Sequence, residues 1–234
     1  MFAIVPGSTM LFDVPRTATR IRPGVAHVPG FLTLPEQAGL VSQARELARS
    51  VAGTPVAMAR PVIGSGQMSV HTLSLGRFWS ANPYRYVDSV GGVAPAEIPA
   101  PWQDLAGRAL AAATSVAPEL ATGDFRAEAT LVNFYPPGSS MGLHIDANEA
   151  SEAPVISLSI GEEALFRIGD TRTRPWDEVT LMSGDLVVFG GPARRAYHGV
   201  PVVRAGTAPE GCGLGEGRLN ITFRQVDPPA RDYA

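Results

Sequence analysis

Apolar and polar positions repeat with two different periods along the chain, and the change falls near residue 127. Before it the spacing is helical. Thr33-Leu34-Pro35-Glu36 predicts a helix start: Thr33 can cap, Pro35 suits the first turn and Glu36 completes a capping box. The apolar stripe that follows is Leu40, Ala44, Leu47, Ala48 and Val51. A second helix is expected from about Trp102 to Val116, with Leu105, Ala109, Ala112, Ala113 and Val116 on one side. Both read as helices that cover a sheet.

From Ala127 onward the period is two. Thr130–Tyr135, Val155–Ile160, Ala164–Ile168, Val179–Met182, Asp185–Phe189 and Arg218–Arg224 all read as strands. Pro136-Pro137-Gly138, Ser183-Gly184-Asp185 and Gly190-Gly191-Pro192 mark turns between them. Many short strands at this spacing predict a mainly β protein with flanking helices, a sandwich or barrel of the jelly-roll kind. Residues 1–126 are expected to supply an N-terminal helical cover, and residues 127–234 the jelly-roll core of the same domain.

Composition narrows the chemistry. Of 234 residues, 45% are apolar and 18% charged, which describes a folded domain. No apolar run approaches the roughly 18 residues of a membrane span. Met1 to Met10 lacks a basic start and is interrupted by Pro6-Gly7, so no targeting signal is expected there. The lone cysteine, Cys212, excludes an internal disulfide and makes a reducing cytoplasmic setting the default. Without a nearby histidine it reads as an incidental loop thiol. All nineteen basic residues are arginine, which excludes Schiff-base lysine chemistry and a Walker A phosphate loop. The net charge of −3 argues against a protein that coats nucleic acid, so any such contact needs a local arginine patch.

The sharpest constellation is His144-Ile145-Asp146 followed by His198. Two positions apart on an extended segment, His144 and Asp146 share a face, and a later strand can bring the third group to them. Two imidazoles and a carboxylate suit non-haem Fe(II), although zinc hydrolases use the same donors. In the last strand, alternation places Arg218, Asn220, Thr222 and Arg224 on one face and Leu219, Ile221 and Phe223 on the other. Arginines turned into a small barrel need an anion to meet them; the bland alternative is a solvent-facing edge strand. Asn133 and Tyr135 share a face just upstream. Together these groups suit a small dicarboxylate.

Leu131–Gly138, Leu143-His144-Ile145-Asp146, Tyr197-His198-Gly199 and Arg218–Arg224 resemble the AlkB family, with the Arg-x-Asn-x-Thr-Phe-Arg ending the most specific part. The resemblance runs from Gly66 to Gln225. It implies a double-stranded β-helix and an Fe(II)- and 2-oxoglutarate-dependent dioxygenase that uses O₂ to demethylate N-alkylated bases. Methylated single-stranded DNA is the expected substrate, with RNA second, and the products are formaldehyde, succinate and CO₂. By the same resemblance His144, Asp146 and His198 bind iron. Arg224 meets the distal carboxylate of 2-oxoglutarate, Arg218 lies near its metal-bound end with a catalytic role, and Asn133, Tyr135 and Asn220 complete that pocket.

Met68-Ser69-Val70, Leu75–Trp79 and Tyr84-Arg85-Tyr86 resemble the family's nucleotide-recognition lid, which assigns the lid to residues 1–126. Trp79 is the candidate stacking partner for a flipped base, and Tyr86 is expected near the base or a phosphate. The alternative for Trp79 and Phe78 is plain core packing. Arg77, Arg85, Arg172 and Arg174 are candidates for phosphate contacts. Asn148 stands where relatives acting on cationic lesions often carry a second acid, so the resemblance does not carry a preference for cationic bases over to this chain, although an amide can still read a base edge. The insertion Ala208 to Gly217 has no assigned place, and His27 and His71 no role. The rival readings are a tRNA or protein oxidase with the same cofactors and a non-catalytic nucleic-acid-binding module. A monomer is the default.

Overall fold

A computed structural model describes residues 16–228, so the expectation about Met1 to Met10 lies outside the described residues. Strands β1 (Thr19–Arg22) and β2 (Val25–Val28) precede helix α1 (Leu34–Ser50). Two hairpins, β3 (Val62–Ile63) with β4 (Gly66–Gln67) and β6 (Phe78–Ala81) with β7 (Tyr84–Val87), flank β5 (His71–Gly76). Helix α2 (Ala100–Thr114) leads to β8 (Ala129–Tyr135), β9 (Met141–His144), β10 (Val155–Gly161) and β11 (Glu163–Gly169). The chain ends in β12 (Asp177–Leu181), β13 (Leu186–Phe189), β14 (Tyr197–Arg204) and β15 (Arg218–Arg224).

Local chemistry accounts for the helices. Thr33 caps α1 through the expected box: its side chain accepts from the Glu36 N–H while the Glu36 carboxylate accepts from the Thr33 N–H. Leu40, Val41 and Ala44 of α1 are buried, as are Trp102, Leu105, Ala109 and Ala113 of α2. Trp102 meets Phe223 of β15 edge-on, with ring centroids 6.3 Å apart. Helix α2 starts before Trp102 because Pro101 fits its first turn.

The strands form a seven-stranded antiparallel sheet, β1-β2-β13-β10-β15-β8-β5, and a four-stranded one, β12-β11-β14-β9. This is the expected mainly β jelly roll. The larger sheet buries both faces. Ile156, Leu158, Ile160, Leu186, Val188 and Ile221 join the helices in one core, whereas Val155, Val187 and Phe189 turn to a second core between the sheets. The segment before residue 127 supplies more than a cover and a lid. Its β2 pairs with β13 and its β5 with β8, so the division at residue 127 runs through the larger sheet. β2, with four residues, is too short to announce itself by alternation, whereas β5 has six, with Leu73 and Leu75 alternating with Thr72 and Ser74. The 208–217 insertion also finds its place: Cys212, fully buried, and Leu214 pack into the core, and a Cβ on Gly213 between them would lie 3.1 Å from that of Val41 on α1.

His27 acquires a structural role. Asp185, completely buried, accepts both Arg16 guanidinium nitrogens at 2.6 and 2.8 Å and lies 2.9 Å from His27 Nε2. The Gly30 and Met182 amides donate to the same carboxylate, each at 2.9 Å. Burial pushes the Asp185 carboxyl up, but these bonds outweigh it and hold it below the usual range. Among the described residues no helix is long and apolar enough to cross a membrane.

Asp185→Asn is expected to cost about 2–4 kcal/mol, because a buried charge loses its bonds and leaves its partners behind. A lowered carboxyl stabilises above its unfolded value near 4 and loses that contribution as the pH falls through its folded value. Urea denaturation should therefore show the gap between wild type and variant at pH 7 and its narrowing well below pH 4.

Candidate active site

Strands β9 and β14 bring two of the candidate ligands together. His144 at the end of β9 is the cross-strand partner of His198 on β14, with ring centroids 4.4 Å apart. Their approach depends on Gly199: a Cβ there would lie 2.8 Å from the Met141 carbonyl oxygen and 2.9 Å from that of Gly142. Asp146 follows on the irregular segment after β9 and turns its carboxylate to the same point. Its Oδ1 is 3.8 Å from His144 Nε2 and its Oδ2 is 3.7 Å from His198 Nε2. The three donor groups lie within 4.8 Å of one another.

The donor set fits a divalent metal in its protonation as well as its spacing. His144 Nδ1 is 2.9 Å from the Gly142 carbonyl, and His198 Nδ1 is 3.1 Å from that of Ala196. Each contact places the ring proton on Nδ1 and leaves the Nε2 lone pair directed at the common centre. Burial pushes the His198 imidazole down to about 4, against the pull of Asp146, so it is neutral at pH 7. Burial by itself would raise the Asp146 carboxyl, but Arg224 and the two histidines hold it well below the usual carboxylate range. Arg224 donates to Asp146 Oδ2 at 2.6 Å, while Oδ1 lies 3.8 Å from His144 Nε2.

A narrow cavity of about 50 Å³ runs from this triad along the polar face of β15. Arg218, Asn220, Thr222 and Arg224 all line it, as alternation requires, with Asn133 and Tyr135 from β8. The order of the two arginines is the reverse of the expected one. Arg224 sits on the Asp146 carboxylate, and Arg218 lies at the far end, beside Tyr135. Alternation reveals which face a side chain takes but not which end of the strand points at the metal.

Arg218 is buried, its guanidinium carbon 4.9 Å above the Tyr135 ring, with Nε donating to Ser159 Oγ at 2.8 Å. Its Nη1 has no partner, which is costly for a buried cation unless an anion enters. Asn133 and Asn220 are bonded to each other at 3.2 Å, and Asn220 also donates to Ser157 Oγ and the Leu158 carbonyl. They form a hydrogen-bonded wall more than a pair of open amides.

A second cavity, about 750 Å³, shares His144, Asp146 and Arg224 with the first and opens under the β3–β4 and β6–β7 hairpins. Met68, Ser69, Trp79, Asn148 and Arg172 line it. Trp79 is half-buried on this wall, its ring 6.0 Å from that of Tyr84, while its neighbour Phe78 packs against the core. Arg172 lies over the Tyr197 ring at 5.5 Å. Tyr86 lines the same cavity, as expected, and its hydroxyl donates to Glu149 at 2.8 Å and accepts from Arg224 at 3.2 Å, which also ties it to the network around Asp146. Arg77 pairs with Asp227 at 2.7 Å and Arg174 packs on Trp176, and neither lines the cavity.

Glu149 and Arg194, both buried, are the residues sequence reasoning passed over. Nothing in the pattern singles them out. Glu149 sits three positions beyond Asp146 on irregular backbone, and Arg194-Arg195 reads as a surface basic pair.

Residues 24–224 match the family model of the 2OG-Fe(II) oxygenase superfamily. With the triad, the arginine-lined cavity and the jelly roll, the chain belongs to that superfamily. It is 34% identical over 214 residues to the alpha-ketoglutarate-dependent dioxygenase AlkB homolog of Caulobacter vibrioides, covering 87% of this chain and 88% of that one. The DNA N(6)-methyladenine demethylase ALKBH1C of Arabidopsis thaliana is 32% identical over 230 residues, 89% of this chain. The chain spans half the length of that relative. The solved structure of OsALKBH1 superposes with a TM-score of 0.78 at 29% identity, covering 89% of this chain and 99% of the other. Within the superfamily, the protein is a member of the AlkB family.

Gly199→Ala is expected to force β9 from β14, at a cost of about 1–3 kcal/mol for overpacking. Because His144 moves with β9, Co(II) titration of the folded variant should show weakened binding.

Proposed function

We propose that this protein oxidatively demethylates N-methylated bases in nucleic acid, with Fe(II), 2-oxoglutarate and O₂. The observation that carries this reading is the pair of joined cavities that share one metal-ligand set. The narrow one ends on a buried guanidinium with an unpartnered nitrogen. The wide one is large enough for a base and is walled by Trp79. When bound, iron and 2-oxoglutarate supply the oxidant, and the net reaction turns N–CH₃, O₂ and 2-oxoglutarate into N–H, formaldehyde, succinate and CO₂. His144, Asp146 and His198 hold the metal. Arg218 receives the distal carboxylate, and Tyr135 and Asn220 narrow the path to it. Arg224 keeps Asp146 ionised and oriented.

Trp79 offers a flat face to an extruded base, and Arg172 a cation beside the opening. Asn148 reads a base edge without adding charge. Both carboxylates on the wide cavity's wall are already bonded to arginine, Asp146 to Arg224 and Glu149 to Arg194. A neutral methylated base meets no penalty there, whereas a cationic one finds no uncommitted acid. The methylated adenine named for the Arabidopsis relative has this neutral character. Because extrusion from an intact duplex costs unpairing and unstacking, single-stranded substrate is favoured. The protein acts as a monomer in a reducing cytoplasmic setting, where its buried Cys212 stays a thiol.

Formaldehyde release from a panel of single-stranded DNA and RNA oligomers carrying neutral or cationic methylated bases tests the reading. Release from at least one neutral substrate is expected. Succinate formation with every oligomer unchanged would point to another substrate. Arg218→Met removes a charge-assisted bond worth about 2–3 kcal/mol, so KM for 2-oxoglutarate should rise roughly 30- to 150-fold. Trp79→Ala should raise KM for the oligomer at unchanged 2-oxoglutarate affinity; equal loss of both would make Trp79 a packing residue.

A further inference from the structure

Asp146 is the one ligand of the triad that neither sheet holds, since residues 145–154 contain no helix or strand. What fixes its backbone is an arginine from elsewhere. Arg194, only 2% exposed, follows a short helical turn at Gly191–Ala193 and stands four positions before His198. Its Nη1 donates to the Asp146 carbonyl oxygen at 2.9 Å, and its Nε donates to the Ala153 carbonyl at 2.9 Å. Its Nη2 donates to Glu149 Oε2 at 3.1 Å. One planar fork therefore spans the loop from the metal carboxylate to the start of β10.

We propose that Arg194 and Glu149 act as a positioning pair that sets where Asp146 presents its carboxylate. The physical reason is geometric. A guanidinium bonded at three points has one orientation, and each bond ends on the loop that carries Asp146. Glu149 neutralises Arg194 at a depth where an unpaired cation is costly, and its other oxygen accepts from the Tyr86 hydroxyl at 2.8 Å. The Tyr86 hairpin is thereby tied to the same loop. Arg195 also reaches the Asp146 carbonyl, at 3.1 Å, but its side chain is 39% exposed and water can replace that bond. The pair touches neither reacting atom; it acts through Asp146.

The proposal rests on the triad being a metal site, and the test separates the two. The full chain is titrated with Co(II) alone, read by its visible bands, alongside thermal melts of each protein. Removing an outer hydrogen-bond partner of a metal ligand typically costs 10- to 100-fold in affinity, so Arg194→Met should weaken Co(II) binding by about that factor. Arg194→Lys keeps the charge without the fork and should recover only part of the loss. Glu149→Gln, close in shape, should also weaken Co(II) binding and serves if neither Arg194 variant folds. A folded Arg194→Met or Glu149→Gln protein with wild-type affinity and spectrum, changed only in melting temperature, would overturn the proposal. A wild-type protein that takes up no Co(II) would overturn the metal reading itself.

Discussion

A carboxylate buried among aromatic rings and imidazoles must stay ionised to hold a metal, and Asp146 does so because Arg224 lies 2.6 Å away. Burial alone would favour the neutral acid. The guanidinium reverses that preference and occupies one oxygen, which leaves the other for the metal position. Other features of the centre depend on this pair. Arg224 also donates to the Tyr86 hydroxyl, so the cation that charges the metal ligand also fastens the β6–β7 hairpin. Its Nε makes no hydrogen bond, but lies 3.5 Å from Glu149 Oε1.

The jelly roll supplies this arrangement through strand pairing. β15 lies between β10 and β8 in the larger sheet, so its polar face is covered by the smaller sheet and its apolar face by the helices. A strand buried on both sides can carry two arginines only if its polar face borders a cavity with anions in it. Asp146 serves at one end of that face, and the unpartnered nitrogen of Arg218 marks the other. The cross-strand pair His144 and His198 belongs to the smaller sheet. The triad thus lies where the two sheets face each other.

Much of this was legible in the chain. The Thr33–Glu36 box, the helical stripes and the alternation of Arg218–Arg224 depend on neighbours a few residues apart, and each appears where the pattern puts it. His144 and Asp146 stand out because two donors at a spacing of two carry chemistry that packing does not require. The AlkB resemblance then names the group they hold, and the fold and the comparisons agree with it. Strands β2 and β5 were less legible. β2 has only four residues, and both are held by pairing with a strand far along the chain.

The amino-acid sequence by itself determined the fold class, the candidate His-Asp-His triad and which face of the last strand is polar, because these follow from local periodicity and residue chemistry. Only the tertiary structure decided which arginine meets the metal carboxylate, that Tyr86 is bonded into the centre, and that Glu149 and Arg194 belong to it. Those facts depend on the direction of β15 and on the path of an irregular loop. Both are set by contacts between residues tens of positions apart, which no local pattern encodes.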